Sequence, residues 1–343
     1  MNVLNFGELL LRLSTQGHQR IPQAHKLDAH YGGAEANVAV GLAQLGINSS
    51  YFTVVPQNDL THTALSRLAA QQVNTTKVSF QEGRLGIYFL ELGKGIRPSK
   101  VVYDRAYSAL SMIDPSKIDW EEIFEGIGWF NWSGITPAIS QSAALLCQDA
   151  LAIAEKKGIN ISVDLNYRSK LWQYGKTPQE IMPSLIEKCD YIFGGIDAPE
   201  TYFGIVPKAK KTVKGAKLTD EDIISISEQL LDKFPKAQLF STTLRDTITS
   251  THNQLQGVVF TSKQLYKSAL FDIPEIVDRV GGGDAFMAGL IAGLIKYGQD
   301  HQKVVNYATA NSVWKHSIAG DYNVVSEEEI LSLMEGGMAV IAR

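Results

Sequence analysis

The segment best equipped for chemistry is Asp278-Arg279-Val280-Gly281-Gly282-Gly283-Asp284-Ala285-Phe286-Met287-Ala288-Gly289, which runs into an apolar helical stretch reaching Tyr297. Three glycines opening a helix let backbone N–H groups converge on an anion, and the helix dipole adds positive potential. A phosphate fits such a cradle. Asp284, at that positive end, is expected to stay ionised and to accept a proton from a hydroxyl that attacks phosphorus in line. Read alone, the run equally fits a tight loop whose aspartate caps the helix. A second glycine pair, in Gly32-Gly33-Ala34-Glu35-Ala36-Asn37, opens an Ala-rich helix. Small residues there leave room for a substrate against the backbone, and Asn37 can both donate and accept. An ordinary helix start explains it equally well; pairing with the downstream run gives it weight.

Other chemistries find little footing. Gly175-Lys176-Thr177 has Lys170 where a P-loop needs its first glycine, and no Gly-x-Gly-x-x-Gly follows the first strand. The seven histidines are dispersed without a His-x-x-x-His pair. Cys147 and Cys189 match neither zinc spacing nor a redox pair, so a reduced, cytoplasmic setting is expected over a single disulfide. With 32 Lys+Arg against 36 Asp+Glu, the net charge of −4 offers no global attraction to nucleic acid or to an anionic membrane. An anionic small substrate must then be held by local positive groups. No stretch has the apolar length of a membrane span, and Val3-Leu4-Asn5-Phe6 follows the N-terminus without the basic region and cleavage site of a signal peptide.

The elements that would carry these residues are legible as a rhythm. Short apolar runs at Val3 to Phe6, Tyr51 to Val55, Trp129 to Trp132, Ile159 to Leu165, Tyr191 to Phe193 and Leu239 to Thr242 read as buried strands. Helical periodicity at Ala34 to Leu45, Ser142 to Lys157 and Asp220 to Phe234 ends at Gly46, Gly158 and Pro235. Strand and helix in alternation predict one α/β unit over 1–343, a mainly parallel sheet covered on both faces. About 9–30 and 84–107 break the rhythm and predict a small β-sheet lid, with Gly86 to Leu92 and Lys100 to Tyr103 as hairpin strands. Lys208, Lys210, Lys211, Lys214 and Lys217 cluster in a loop expected to be a mobile, solvated insertion, with electrostatic guidance of a nucleotide as the sharper reading.

Together the two glycine segments resemble the paired signatures of the ribokinase (PfkB) family of carbohydrate kinases. The resemblance covers nearly the whole chain and is strengthened by Arg97-Pro98-Ser99-Lys100-Val101-Val102-Tyr103-Asp104-Arg105-Ala106, Gly134-Ile135-Thr136-Pro137, Asp164-Leu165-Asn166-Tyr167-Arg168 and Lys315-His316-Ser317-Ile318-Ala319-Gly320-Asp321. It implies a ribokinase-like three-layer α/β sandwich, ATP and Mg2+ as cofactors, potassium as a further ion, and catalysis by Asp284 with the Gly281, Gly282 and Gly283 amides. It further implies substrate contacts at Gly33, Ala34 and Asn37, at Tyr88, Tyr103 and Arg105 from the lid, and at Arg168 and Asp321. Two arginines suit a substrate carboxylate, which a guanidinium grips through paired charge-assisted hydrogen bonds. A small sugar acid, phosphorylated on its terminal primary hydroxyl, is therefore expected over fructose, ribose or a nucleoside, and over a non-catalytic sugar-binding regulator. On the nucleotide side the resemblance implies Asn166, Thr243, Arg245, Asp246, Gly281, Gly283 and Asn311. Many relatives have glycine where Arg245 stands, and the acidic motif associated with magnesium lacks its asparagine, leaving Asp197 and Glu200 as candidate metal ligands. The partners implied are the sugar acid, ATP and a second copy of the chain joined through the lid.

Overall fold

The expected alternation builds a parallel sheet between two helical layers. The computed structural model describes residues 1–262 and 264–336. Its strands are β1 (Asn2–Phe6), β2 (Leu10–Thr15), β3 (Leu27–Gly32), β4 (Asn48–Phe52), β5 (Gly86–Glu91), β6 (Lys100–Asp104), β7 (Trp129–Ser133), β8 (Asn160–Asp164), β9 (Tyr191–Phe193), β10 (Leu239–Thr249), β11 (His252–Thr261), β12 (Leu265–Lys267) and β13 (Phe271–Ile273), besides a two-residue pair at Val54–Val55 and Ser79–Phe80. The principal helices are α1 (Ala34–Gln44), α2 (Asp59–Ala70), α3 (Gln141–Lys156), α4 (Pro178–Ile186), α5 (Asp220–Lys233), α6 (Gly282–Tyr297) and α7 (His301–Lys315).

The main sheet runs β12-β11-β10-β9-β8-β7-β1-β4, with β13 also on β11. From β4 to β10 all pairings are parallel; β11, β12 and β13 add antiparallel. Because successive side chains of a strand point to opposite faces, Leu4, Phe6, Phe130, Trp132, Ile161 and Val163 meet α3, α4 and α5, whereas Val3, Trp129, Phe193 and Leu239 meet α1, α6 and α7. Truncating Phe130 to alanine would cost about 3–5 kcal/mol. Local chemistry sets the helix ends: Thr219 and Asp222 form a reciprocal capping box at α5, and Gly158 stops α3 with φ +66°.

This topology dictates where a ligand can sit. From β1 the chain goes to β4 on one side and to β7 on the other, so the carboxyl ends of β1 and β7 diverge into a crevice. A separate four-stranded sheet, β3-β2-β5-β6, forms from the stretches expected to make a lid. One lid face, with Leu11, Leu13 and Ile87, packs on α1 and α2. Arg12 and Tyr88 lie on the other, turned to the glycine segments.

Two local expectations need adjustment. Leu239 to Thr242 is only the start of an eleven-residue strand, whose far half extends past β9 as an antiparallel hairpin with β11. The lysine loop is solvated at Lys208, Lys211, Lys214 and Lys217, yet it is anchored by buried Val213, by Glu200 and by a Lys210–Asp222 ion pair. Both cysteines are free and buried.

Candidate active site

The glycine run is shaped by its surroundings. Gly281 takes φ +85°, and a Cβ there would collide with the Asp321 carbonyl, so only glycine fits this N-cap. Gly282 packs under the His316 ring, whereas Gly283 is exposed with open space above it, leaving the first turn of α6 accessible to an anion. Asp284 follows, 9% exposed. Asn37, from the other glycine-opened helix, donates its Nδ2 to Asp284 Oδ2 at 2.7 Å, while its own Oδ1 is buried without a partner. The two segments singled out in the sequence thus meet across 247 residues.

Burial pushes Asp284 up to about 6, against the hydrogen bond from Asn37 and the charges of Arg168 and Lys315. At neutral pH a group titrating near 6 is still mostly ionised, so Asp284 remains able to accept a proton. Two further carboxylates crowd the site. Glu35, 2% exposed and accepting from the Ser133 hydroxyl, is raised by burial to about 7; Asp164, at the end of β8, is raised by burial and then by Asp284 to about 8. Asp164 accepts from the backbone and side chain of Asn166, whose φ of +35° suits an asparagine.

Of the residues expected to contact substrate, Gly33 and Ala34 are partly exposed at the start of α1, and a Cβ on Gly33 would strike the Glu8 carbonyl. From the lid, Tyr88 and Tyr103 face each other with ring centroids 6.1 Å apart, and the Arg105 guanidinium lies 5.7 Å from the Tyr103 ring. Arg105 pairs with buried Glu8, but Arg105 Nε and Glu8 Oε1 are both buried without partners. Arg168 is exposed, lowers both Asp164 and Asp284 by its charge, and makes no side-chain hydrogen bond or ion pair among the described residues. Asp321 is 3% exposed rather than an open turn residue; it accepts from Tyr88 at 2.6 Å and from Arg12 at 2.9 Å.

The residues expected on the nucleotide side spread more widely. Thr243 is half-buried on β10, while Arg245 and Asp246 are exposed farther along the hairpin. Asn311 is fully buried; its amide donates to the Ala285 carbonyl and its Oδ1 accepts from Asn323, so it braces the start of α6 from behind. Glu200 accepts from the Thr212 hydroxyl and the Val213 amide, whereas Asp197 is exposed.

A profile of the pfkB family carbohydrate kinases matches residues 2–326. The chain belongs to this family. Its likeness to relatives of known name extends end to end. A 2-dehydro-3-deoxygalactonokinase of Haloferax volcanii is 29% identical, with 99% of each chain covered. A 2-dehydro-3-deoxygluconokinase of Bacillus subtilis is 25% identical over 97% of this chain and 94% of its own. The crystal structure of a 2-dehydro-3-deoxygluconokinase from Thermotoga maritima superposes with a TM-score of 0.92 at 41% identity, 98% of each chain being covered.

As a PfkB kinase the protein is a carbohydrate kinase, and its glycine run fits the phosphates of ATP. For magnesium the acidic groups available are exposed Asp197 and Asp164, whose raised pKa a divalent cation would pull down; Glu200 is already engaged. Beside the glycine run Asp278 and Asp321 are already held by Arg12, so neither carboxylate is free for a potassium ion. Glu8, Arg12, Glu35, Asp164 and Lys315 were not singled out as site residues from sequence. Glu35, Asp164 and Lys315 fall within segments that carry the resemblance, whereas Glu8 and Arg12 are marked only by a charge among apolar neighbours.

Proposed function

We propose that this PfkB kinase transfers the γ-phosphate of ATP to the terminal primary hydroxyl of 2-keto-3-deoxy-D-gluconate, giving the 6-phosphate, in the cytoplasm. The observation that carries the reading is the Asn37–Asp284 bond: a carboxylate raised to about 6 stands in the first turn of the glycine-opened helix α6, next to the open space at Gly283. Asp284 takes the hydroxyl proton as the oxygen attacks phosphorus, and Asn37 fixes the orientation of the carboxylate. The Gly281–Gly283 backbone stabilises the transferring group, since phosphoryl transfer depends mainly on position and electrostatics. Magnesium, bound with the triphosphate, would supply charge neutralisation, with Asp164 and Asp197 as its available acidic residues. The unpartnered Arg168 and the free Nε of Arg105 support a substrate carboxylate, and the unpartnered Glu8 Oε1 supports a hydroxyl beside it. Closure of the lid excludes water from the γ-phosphate.

Asp284→Asn tests the assignment. It is expected to lower kcat by at least about 10²-fold with little change in ATP affinity; near-normal turnover would remove the base. The gluconate reading is tested against the galactonate epimer, for which kcat/KM should be lower. Self-association is proposed through strand β6, whose outer edge carries Val102 and Tyr103, 41% and 37% exposed. Light scattering on the eluting protein should give a dimer mass; a monomer mass would reject that contact.

A further inference from the structure

The lid face above the pocket carries a second arginine with no free hydrogen-bonding edge. Arg12 is 1% exposed; its Nε donates to the Ser14 hydroxyl at 2.6 Å, Nη1 to Asp321 at 2.9 Å and Nη2 to Asp278 at 2.5 Å. Asp278 opens the glycine run, where its Oδ1 accepts from the Val280 amide at 3.0 Å and its Oδ2 also accepts from the Gly320 amide at 3.2 Å. Asp321 ties the same guanidinium to Tyr88, and its carbonyl presses on Gly281. Behind this cage lies Lys315, 0% exposed, with Nζ donating to the Ile318 carbonyl at 2.8 Å and Cε close against Gly281.

The charges balance: two carboxylates face one guanidinium and one ammonium, all buried. Removing Arg12 would leave the turn before Gly281 with excess negative charge, next to the place where a triphosphate must sit. An added monovalent cation, by contrast, finds Asp278 and Asp321, the two carboxylates that flank the Gly281 turn, already paired with Arg12. We infer that Arg12 is the resident counter-ion of the phosphate pocket. It is a positioning residue that fixes the Asp278–Gly281 turn and, through Asp321 and Tyr88, the lid, so turnover requires no activating monovalent cation. The inference rests on the kinase reading above. A cavity of about 710 Å³ bordered by Arg12, Ser14, His30, Ile276, Asp278 and Gly320 gives a small cation access to the space a truncated side chain would vacate.

The test is a steady-state assay of the full chain with ATP, magnesium and the sugar acid, in buffers whose monovalent cation is tetramethylammonium, sodium or potassium at equal ionic strength. Wild-type kcat should vary by no more than about twofold across the series. Arg12→Ala should lose about 10²-fold in kcat with ATP affinity retained, the result expected when one partner of a buried ion pair is removed. Guanidinium or potassium should return at least about tenfold of that loss by refilling the vacated charge. Activation of the wild type by potassium of more than about tenfold, full activity of a folded Arg12→Ala, or no rescue by either cation would overturn the inference. If Arg12→Ala does not fold, Arg12→Lys keeps the charge but not the fork; it should fold and lose kcat, and an unchanged kcat would count against Arg12. The wild-type series needs no variant. No phosphorylation in any buffer would instead defeat the kinase reading itself.

Discussion

Two arginines on one small sheet show how hydrogen-bond saturation separates a residue that builds a site from one that waits for a ligand. Arg12 on β2 spends Nε, Nη1 and Nη2 on Ser14, Asp321 and Asp278. Arg105, just past β6, pairs with Glu8 yet leaves its Nε, and the facing Glu8 Oε1, buried and unpartnered. Buried polar atoms are nearly always satisfied, so an orphan donor beside an orphan acceptor points to a substrate group that supplies both. In the proposed function the saturated arginine serves the protein and the unsaturated one serves the substrate.

The comparison breaks if the two behave alike. Arg12→Ala should act on kcat, whereas Arg105→Ala should raise KM for the sugar acid by on the order of 10²-fold and leave the KM for ATP alone, as expected for a lost charged hydrogen bond. An Arg105→Ala enzyme with unchanged KM would favour a neutral sugar. The pH dependence sharpens the same contrast. With Asp284 raised to about 6, kcat/KM should fall about tenfold per unit below that pH, and Arg168→Met, by removing a charge that lowers Asp284, should move the limb upward. A limb unmoved by that change would place Arg168 away from the base. The smallest effect concerns stability. Glu35 is raised to about 7, so its contribution is fully present below its unfolded value near 4.5 and is lost as pH rises through about 7. Glu35→Gln should therefore stabilise the folded chain at pH about 8 by on the order of 1–3 kcal/mol, and scarcely at pH about 5. Denaturant titration at both pH values checks the sign.

Much of this was legible in the residues. Apolar runs located the parallel strands because buried strands need no polar face, and the two glycine segments singled out in the sequence meet through Asn37 and Asp284. The far half of β10 escaped notice because Leu244-Arg245-Asp246-Thr247-Ile248 lies beyond the parallel sheet, with exposed side chains and no apolar run to mark it. Arg12 was hidden differently. Within Leu9-Leu10-Leu11-Arg12-Leu13 it reads as the solvent side of an alternating strand, but its carboxylate partners lie 266 and 309 positions away. Long-range pairing of charge leaves no local trace. The upward shift of Asp284 was hidden for a related reason: the helix end is visible in sequence, but the burial that raises the group to about 6 belongs to the assembled site.

The central claim is that Asp284, beside the glycine run, takes the proton of a sugar-acid hydroxyl as that oxygen receives the γ-phosphate of ATP and ADP leaves. Its most direct test is to incubate the protein with ATP, magnesium and either 2-keto-3-deoxygluconate, fructose or ribose, and to follow product by phosphorus NMR. The account predicts a primary phosphate ester of the acid, formed with the highest kcat/KM of the three. Preferential phosphorylation of fructose or ribose would contradict it.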